Sequence, residues 1–162
     1  MRKLLLTLPV LLLPAVVSAQ ETNLTVNCDG QPALSLQIPA AAKVFANKNQ
    51  TDILTPKLSL HLWCMPNVAT PEAGLDQTAA VIKSEFVNFK PSVTNTITMA
   101  GSPALLLAGP GTEADDGDPG NAEVVLFSTG KQVFAACVHG EGKAAAHQHI
   151  GMLALLQTAK AP

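Results

Sequence analysis

Residues 122–138 read AEVVLFSTGKQVFAACV, and the reading of this stretch decides the fold. Two runs rich in valine and phenylalanine flank Ser128, Thr129 and Gly130, and Gly130 suits the positive φ of a tight hairpin. Both parities of each run are apolar: Val124 and Leu126 on one face, Val125 and Phe127 on the other, then Val133, Ala135 and Cys137 backed by Phe134, Ala136 and Val138. Strands that are dry on both sides must be covered on both sides.

Upstream, TNTITM, the turn AGSP and ALLLAG predict a second hairpin. KLSLHLWCM, 57–65, alternates cleanly, with Leu58, Leu60, Leu62 and Cys64 one way and Ser59, His61 and Trp63 the other. TNLTVNCDGQPALSLQIP predicts two strands around an Asp29-Gly30 turn. The cover comes from two helical patterns. In the first, Thr70 caps, Pro71 takes the first helical position, and Leu75, Ala79, Ile82, Phe86 and Phe89 form one stripe up to Pro91. The second spans about 143–158, where Ala146, Ile150, Leu153 and Leu156 form a stripe that includes His149 and leaves His147 at its margin. The predicted fold is α+β: an α/β/α sandwich with a mainly antiparallel sheet of about six strands and a helix on each face. Segments 39–56 and 109–121 are expected to be irregular loops.

The chain opens MRKLLLTLPVLLLPAVVSAQ. Arg2 and Lys3 precede an apolar run from Leu4 to Val17, and Val17-Ser18-Ala19 fits a cleavage site. The run falls short of the roughly 20 residues that span a bilayer, so 1–19 is expected to be a cleaved signal peptide and 20–162 a single periplasmic or secreted domain, without stable membrane insertion. Lysine and arginine number 10 against 12 acidic residues, and the leader takes Arg2 and Lys3 with it. That balance argues against a nucleic-acid partner.

Export favours a disulfide among Cys28, Cys64 and Cys137, and three cysteines allow only one bridge. VHGEGKAAAHQHIG, 138–151, reads first as a strand end, a Gly-rich turn and a helix start. Its metal-binding alternative, for copper or zinc, uses His139, Glu141 and His147, with His149 as a further donor. The acidic loop GTEADDGDPGNAE carries Glu113, Asp115, Asp116, Asp118 and Glu123, yet counted from Asp116 it lacks the third and twelfth ligands of an EF-hand. Trp63 and His61 share a face and would anchor a partner if their strand lay at an edge. No nucleophile elbow, zinc-protease motif or phosphate loop is present, so no catalytic residue and no cofactor is implied.

The strand LSLQIPAAAKVF ending at a proline, the amphipathic segment 71–90, and ITMAGSPALLLAG followed by AEVVLFSTGKQVFAACV resemble the Mog1/PsbP-like fold. The resemblance spans most of the mature chain. It implies a small α/β/α sandwich with a non-enzymatic accessory or binding role, and carries over no catalytic residue. Taken together, these readings predict an exported binding protein whose partner is another exported or envelope protein.

Overall fold

The structure is a computed structural model and describes residues 20–130, 132–140 and 142–162. The expected signal segment lies outside the described residues. The chain forms β1 (Glu21–Cys28), β2 (Gln31–Pro39), β3 (Lys43–Ala46), β4 (Gln50–Thr55) and β5 (Leu58–Met65). A short helical stretch around α1 (Thr78–Val81) leads to β6 (Phe86–Val87) and β7 (Val93–Met99). Next come β8 (Ser102–Glu113), β9 (Pro119–Thr129), β10 (Gln132–Gly140) and α2 (Gly142–Leu156).

One antiparallel sheet dominates, with seven strands in the order β3-β4-β5-β10-β9-β8-β6 and β7 paired beside β6 along β8. The hairpin β1–β2 is a separate two-stranded sheet. Among the described residues strands far outnumber helices, and the sheet curls into a half-barrel. This corrects the predicted α/β/α sandwich, because no helix roofs each face.

The strands are dry on both sides, but other elements cover them. On one face Leu60, Leu62, Val125, Phe134, Ala136 and Val138 pack against the β1–β2 hairpin (Val26, Leu34, Leu36, Ile38) together with Met152, Leu155 and Leu156 of α2. On the other face Trp63, Val124, Leu126, Val133 and Ala135 meet Val68, Ile82, Phe86 and Phe89. The helix expected across 71–89 is broken into a 3-10 run (Glu72–Gln77), the single turn α1, and a second 3-10 run (Ile82–Ser84). Its buried side is Pro71, Gly74, Thr78 and Ile82, while Leu75 and Ala79 are exposed. Small residues win that face because they admit close approach. A Cβ on Gly74 would already sit 3.3 Å from Met65 and 3.6 Å from Leu126. Phe86 leaves the helical path to pair with Glu113, and Asn88 turns the chain at φ 57°.

Both expected loops are largely strand. β3 and β4 fall within 39–56, and β8 and β9 extend through 109–121 as the arms of one hairpin. Cys28 and Cys64 form a disulfide with Cα atoms 5.5 Å apart, which ties the β1–β2 hairpin to β5. Cys137 is free and buried. Among the described residues no helix is long and apolar enough to cross a membrane.

Candidate functional site

The sheet order β4-β5-β10 assembles a polar cluster from residues far apart in sequence. In the register, Asp52 of β4 lies opposite His61 of β5, and His61 lies opposite Cys137 of β10. His139, two residues beyond Cys137, keeps the same parity and so faces the same side. The imidazoles stack with centroids 5.6 Å apart, between Trp63 at 6.1 Å from His61 and Phe86 at 5.8 Å from His139. Glu85 arrives from above, at the end of the broken helical stretch and one residue before the fully buried Phe86.

Each imidazole is held through Nδ1 by carboxylate. His61 Nδ1 lies 3.0 Å from Asp52 Oδ1 and 3.5 Å from Glu85 Oε2, and the Gln50 amide donates to both acids at 3.0 Å. His139 Nδ1 lies 3.1 Å from Glu113 Oε1. Glu113 passes over Gly120, where an added Cβ would lie 3.6 Å from its Oε1. A carboxylate on Nδ1 fixes the proton there and leaves the Nε2 lone pair for a ligand. The Nε2 of His61 has Ser59 Oγ at 3.2 Å.

His61, Glu85 and His139 offer donor atoms that all lie within 4.8 Å of one another. With Ser59, Ser84 and Asp115 they line a cavity of about 170 Å³. Asp52, Glu85, Glu113 and Asp115 surround the two imidazoles, and among the described residues no lysine or arginine forms an ion pair with any of them. Such a chamber favours a cation.

The residues singled out in the sequence are dispersed differently. His139 joins His61 rather than His147, because α2 packs on the opposite face of the sheet. His147 is exposed on α2, and His149 is half-buried against Glu123, whose parity on β9 is opposite to that of Ala122 and Val124. Glu141 lies outside the described residues. Trp63 is 6% exposed in an interior strand and presents no edge. Asp115 and Asp116 are exposed beside Glu113, with which they form a second acidic group, and Asp118 is exposed in the same turn. Asp52, Glu85 and the pairing of His61 with His139 escaped sequence reading. The available signal was parity: His61 and His139 both fall on the face of their strand opposite the aliphatic set Leu60, Leu62, Ala136 and Val138.

No family model matches the chain, and no curated protein matches it. Among solved structures it is similar to a crystal structure from Bacteroides thetaiotaomicron, with a TM-score of 0.53 and 10% identity over 85% of this chain. The matched region spans 47% of that protein's length. At that identity the likeness concerns the fold alone.

Proposed function

We propose that the protein is exported to the periplasm or secreted and that it binds a transition-metal ion, zinc or copper(II), through His61, Glu85 and His139. The observation that carries this is the convergence of two imidazoles and a carboxylate within 4.8 Å, each imidazole oriented from behind by another acid. Ligands about 2.1 Å from a tetrahedral ion stand about 3.4 Å apart, so donors within 4.8 Å of one another need close by no more than about 1.4 Å as the ion enters. Two nitrogens and an oxygen suit a borderline ion better than calcium, which prefers oxygen alone. The Cys28–Cys64 bridge is compatible with an oxidising compartment. There the protein acts as an accessory that holds the ion for another exported or envelope protein.

Titration calorimetry with zinc and copper tests the reading. Wild-type protein is expected to bind one ion, His61→Ala and His139→Ala to lose it, and His147→Ala to keep it. At a free ion concentration of 100 Kd the folded state gains about 2.7 kcal/mol, or about 5–10 °C in Tm for a domain of this size. An unmoved Tm with either ion sinks the proposal.

One observation favours a second reading. Ser59 Oγ, His61 and Asp52 stand in the order nucleophile, base and orienting acid, at 3.2 and 3.0 Å. It ranks second because Glu85 also crowds His61 Nδ1 and the Ser59 backbone N–H is already bonded to Gln148 Oε1 at 2.8 Å. A fluorophosphonate that labels Ser59 in the wild type and not in His61→Ala would promote it.

A further inference from the structure

The opposite face of the sheet carries a groove of about 700 Å³, within the range of sites that enclose small organic ligands. It runs between the open end of the β1–β2 hairpin at Pro39, the β4–β5 turn, and the outer side of α2. Its walls are mainly apolar, drawn from Pro39, Pro56, Leu58, Ile150, Ala154 and Leu155, with Glu21 beside Pro39. Ile150, which the helical stripe places in the core, is 64% exposed and borders this groove instead. Gly151 lets α2 sit close on Leu58, since a Cβ there would stand 3.3 Å from Leu58 Cδ1.

A smaller chamber of about 260 Å³ shares Thr55 to Leu58 and His147 with the groove and adds Ser59 and Gln148. No carboxylate lines it, whereas Lys57 and His147 do, and among the described residues neither forms an ion pair. The cavity is therefore graded: the end at Lys57 and His147 offers hydrogen-bond donors and holds no carboxylate, and it leads into a mainly apolar trough that carries Glu21 at its Pro39 end.

We propose that this groove binds a free fatty acid, with its carboxylate at Lys57 and His147 and its chain laid along Ile150, Ala154 and Leu155. Charge complementarity at Lys57 selects an anionic head, and the mainly apolar trough selects an alkyl tail. The proposal uses none of the metal donors His61, Glu85 and His139, and only Ser59 lines both chambers.

The test is titration of the purified protein with a chain-length series from octanoate to dodecanoate below micelle formation, with dodecanol and dodecylamine in parallel. Dodecanoate is expected to bind one to one, and affinity to rise about four-fold per added methylene. Lys57→Glu should weaken dodecanoate at least ten-fold and leave dodecanol unmoved. Ile150→Glu, at an exposed position, should weaken both at least ten-fold, while His61→Ala changes neither. The proposal is overturned if dodecanoate fails to saturate, if dodecylamine binds as well as dodecanoate, or if Ile150→Glu is without effect. A dimer in sedimentation analysis that Ile150→Glu dissociates also overturns it, by assigning the groove to a second copy.

Discussion

Replacing both Cys28 and Cys64 by alanine removes the covalent tie between the β1–β2 hairpin and β5. The bridge closes a loop with a sequence separation of 36. The chain-entropy relation for such a loop gives about 13 cal/mol/K, or about 4 kcal/mol at 25 °C. The loss should also be localised. The hairpin pairs with no strand of the main sheet, and its backbone links to the rest are a reciprocal pair between Ser35 and Lys160 at 2.9 and 3.0 Å. Thr158 and Thr129 hydroxyls add two more bonds, to Gln37 N and Ala33 O, and at the exposed hairpin turn Asp29 N–H donates to Asn49 Oδ1 while its carboxylate meets Lys48. Urea unfolding should therefore move its midpoint down by about 2 M for a slope near 2 kcal/mol/M. Native-state hydrogen exchange should speed up first at Val26, Leu34 and Leu36, ahead of Leu62 and Phe134. A loss under about 1 kcal/mol, or exchange rising uniformly through both sheets, would refute the reasoning, since it would mean that side-chain packing alone secures the hairpin.

Three further outcomes follow from other contacts. Gly111→Ala places a Cβ 2.2 Å from Phe86 Cε1 and 2.8 Å from Val87 O. Phe86 is fully buried and cannot yield, so the variant should lose about 3 kcal/mol in urea unfolding. Gly117→Ala, at φ +78° with open space around it, should lose only about 1 kcal/mol, and equal losses would contradict the packing argument. Burial, assisted by the nearby Glu85 charge, pushes the Cys137 thiol up, so iodoacetamide should leave it unmodified in the native protein and alkylate it in urea, as mass spectrometry would read. The Lys48 hydrogen bond, then that of Asn49, holds the Asp29 carboxyl below its usual range. Its contribution to stability is therefore complete above the unfolded carboxyl value and fades as pH falls through the lower folded one; Lys48→Met should return the NMR titration of Asp29 to the ordinary range, and an unmoved titration would count against the contact.

How much of this was legible in the sequence depends on the length scale of each signal. The two-sided greasiness of 122–138 correctly implied that both faces need cover, because alternation is local to a strand. What supplies the cover is not local. Leu75, Ala79, Ile82, Phe86 and Phe89 fit a helical stripe by spacing, yet the buried face is Pro71, Gly74, Thr78 and Ile82. A periodicity count that rewards bulk passes over small residues that let two backbones approach. β4 was hidden because Ile53 is its only large residue in the core, and with it went Asp52. Glu113 sat in a segment that read as a solvated acidic loop, and Glu85 on a helix that does not extend so far. His61 and His139 were each visible as histidines on strands. Their meeting required knowing that β5 neighbours β10, which sheet order decides and no local pattern records.

Parity in the sheet also explains why the C-terminal histidines and the strand histidines serve different faces. Along β10, Phe134, Ala136 and Val138 point toward α2 and the hairpin, whereas Val133, Ala135, Cys137 and His139 point toward Phe86 and Glu85. A metal centre joining His139 to α2 would need β10 to slip by one residue, and a slip of one exchanges the two faces of the whole strand. Phe134 would lose its stacking with Phe127, now at 5.6 Å, and Val138 would leave the core beneath α2. Three or four buried side chains at roughly 1.5–3 kcal/mol each hold the register against that exchange, more than one additional metal ligand returns. The same rule separates the two cavities along β5. His61 turns its side chain to the metal chamber and Leu58 turns to the groove, while Ser59, at the start of the strand, borders both the metal chamber and the small chamber at the end of the groove.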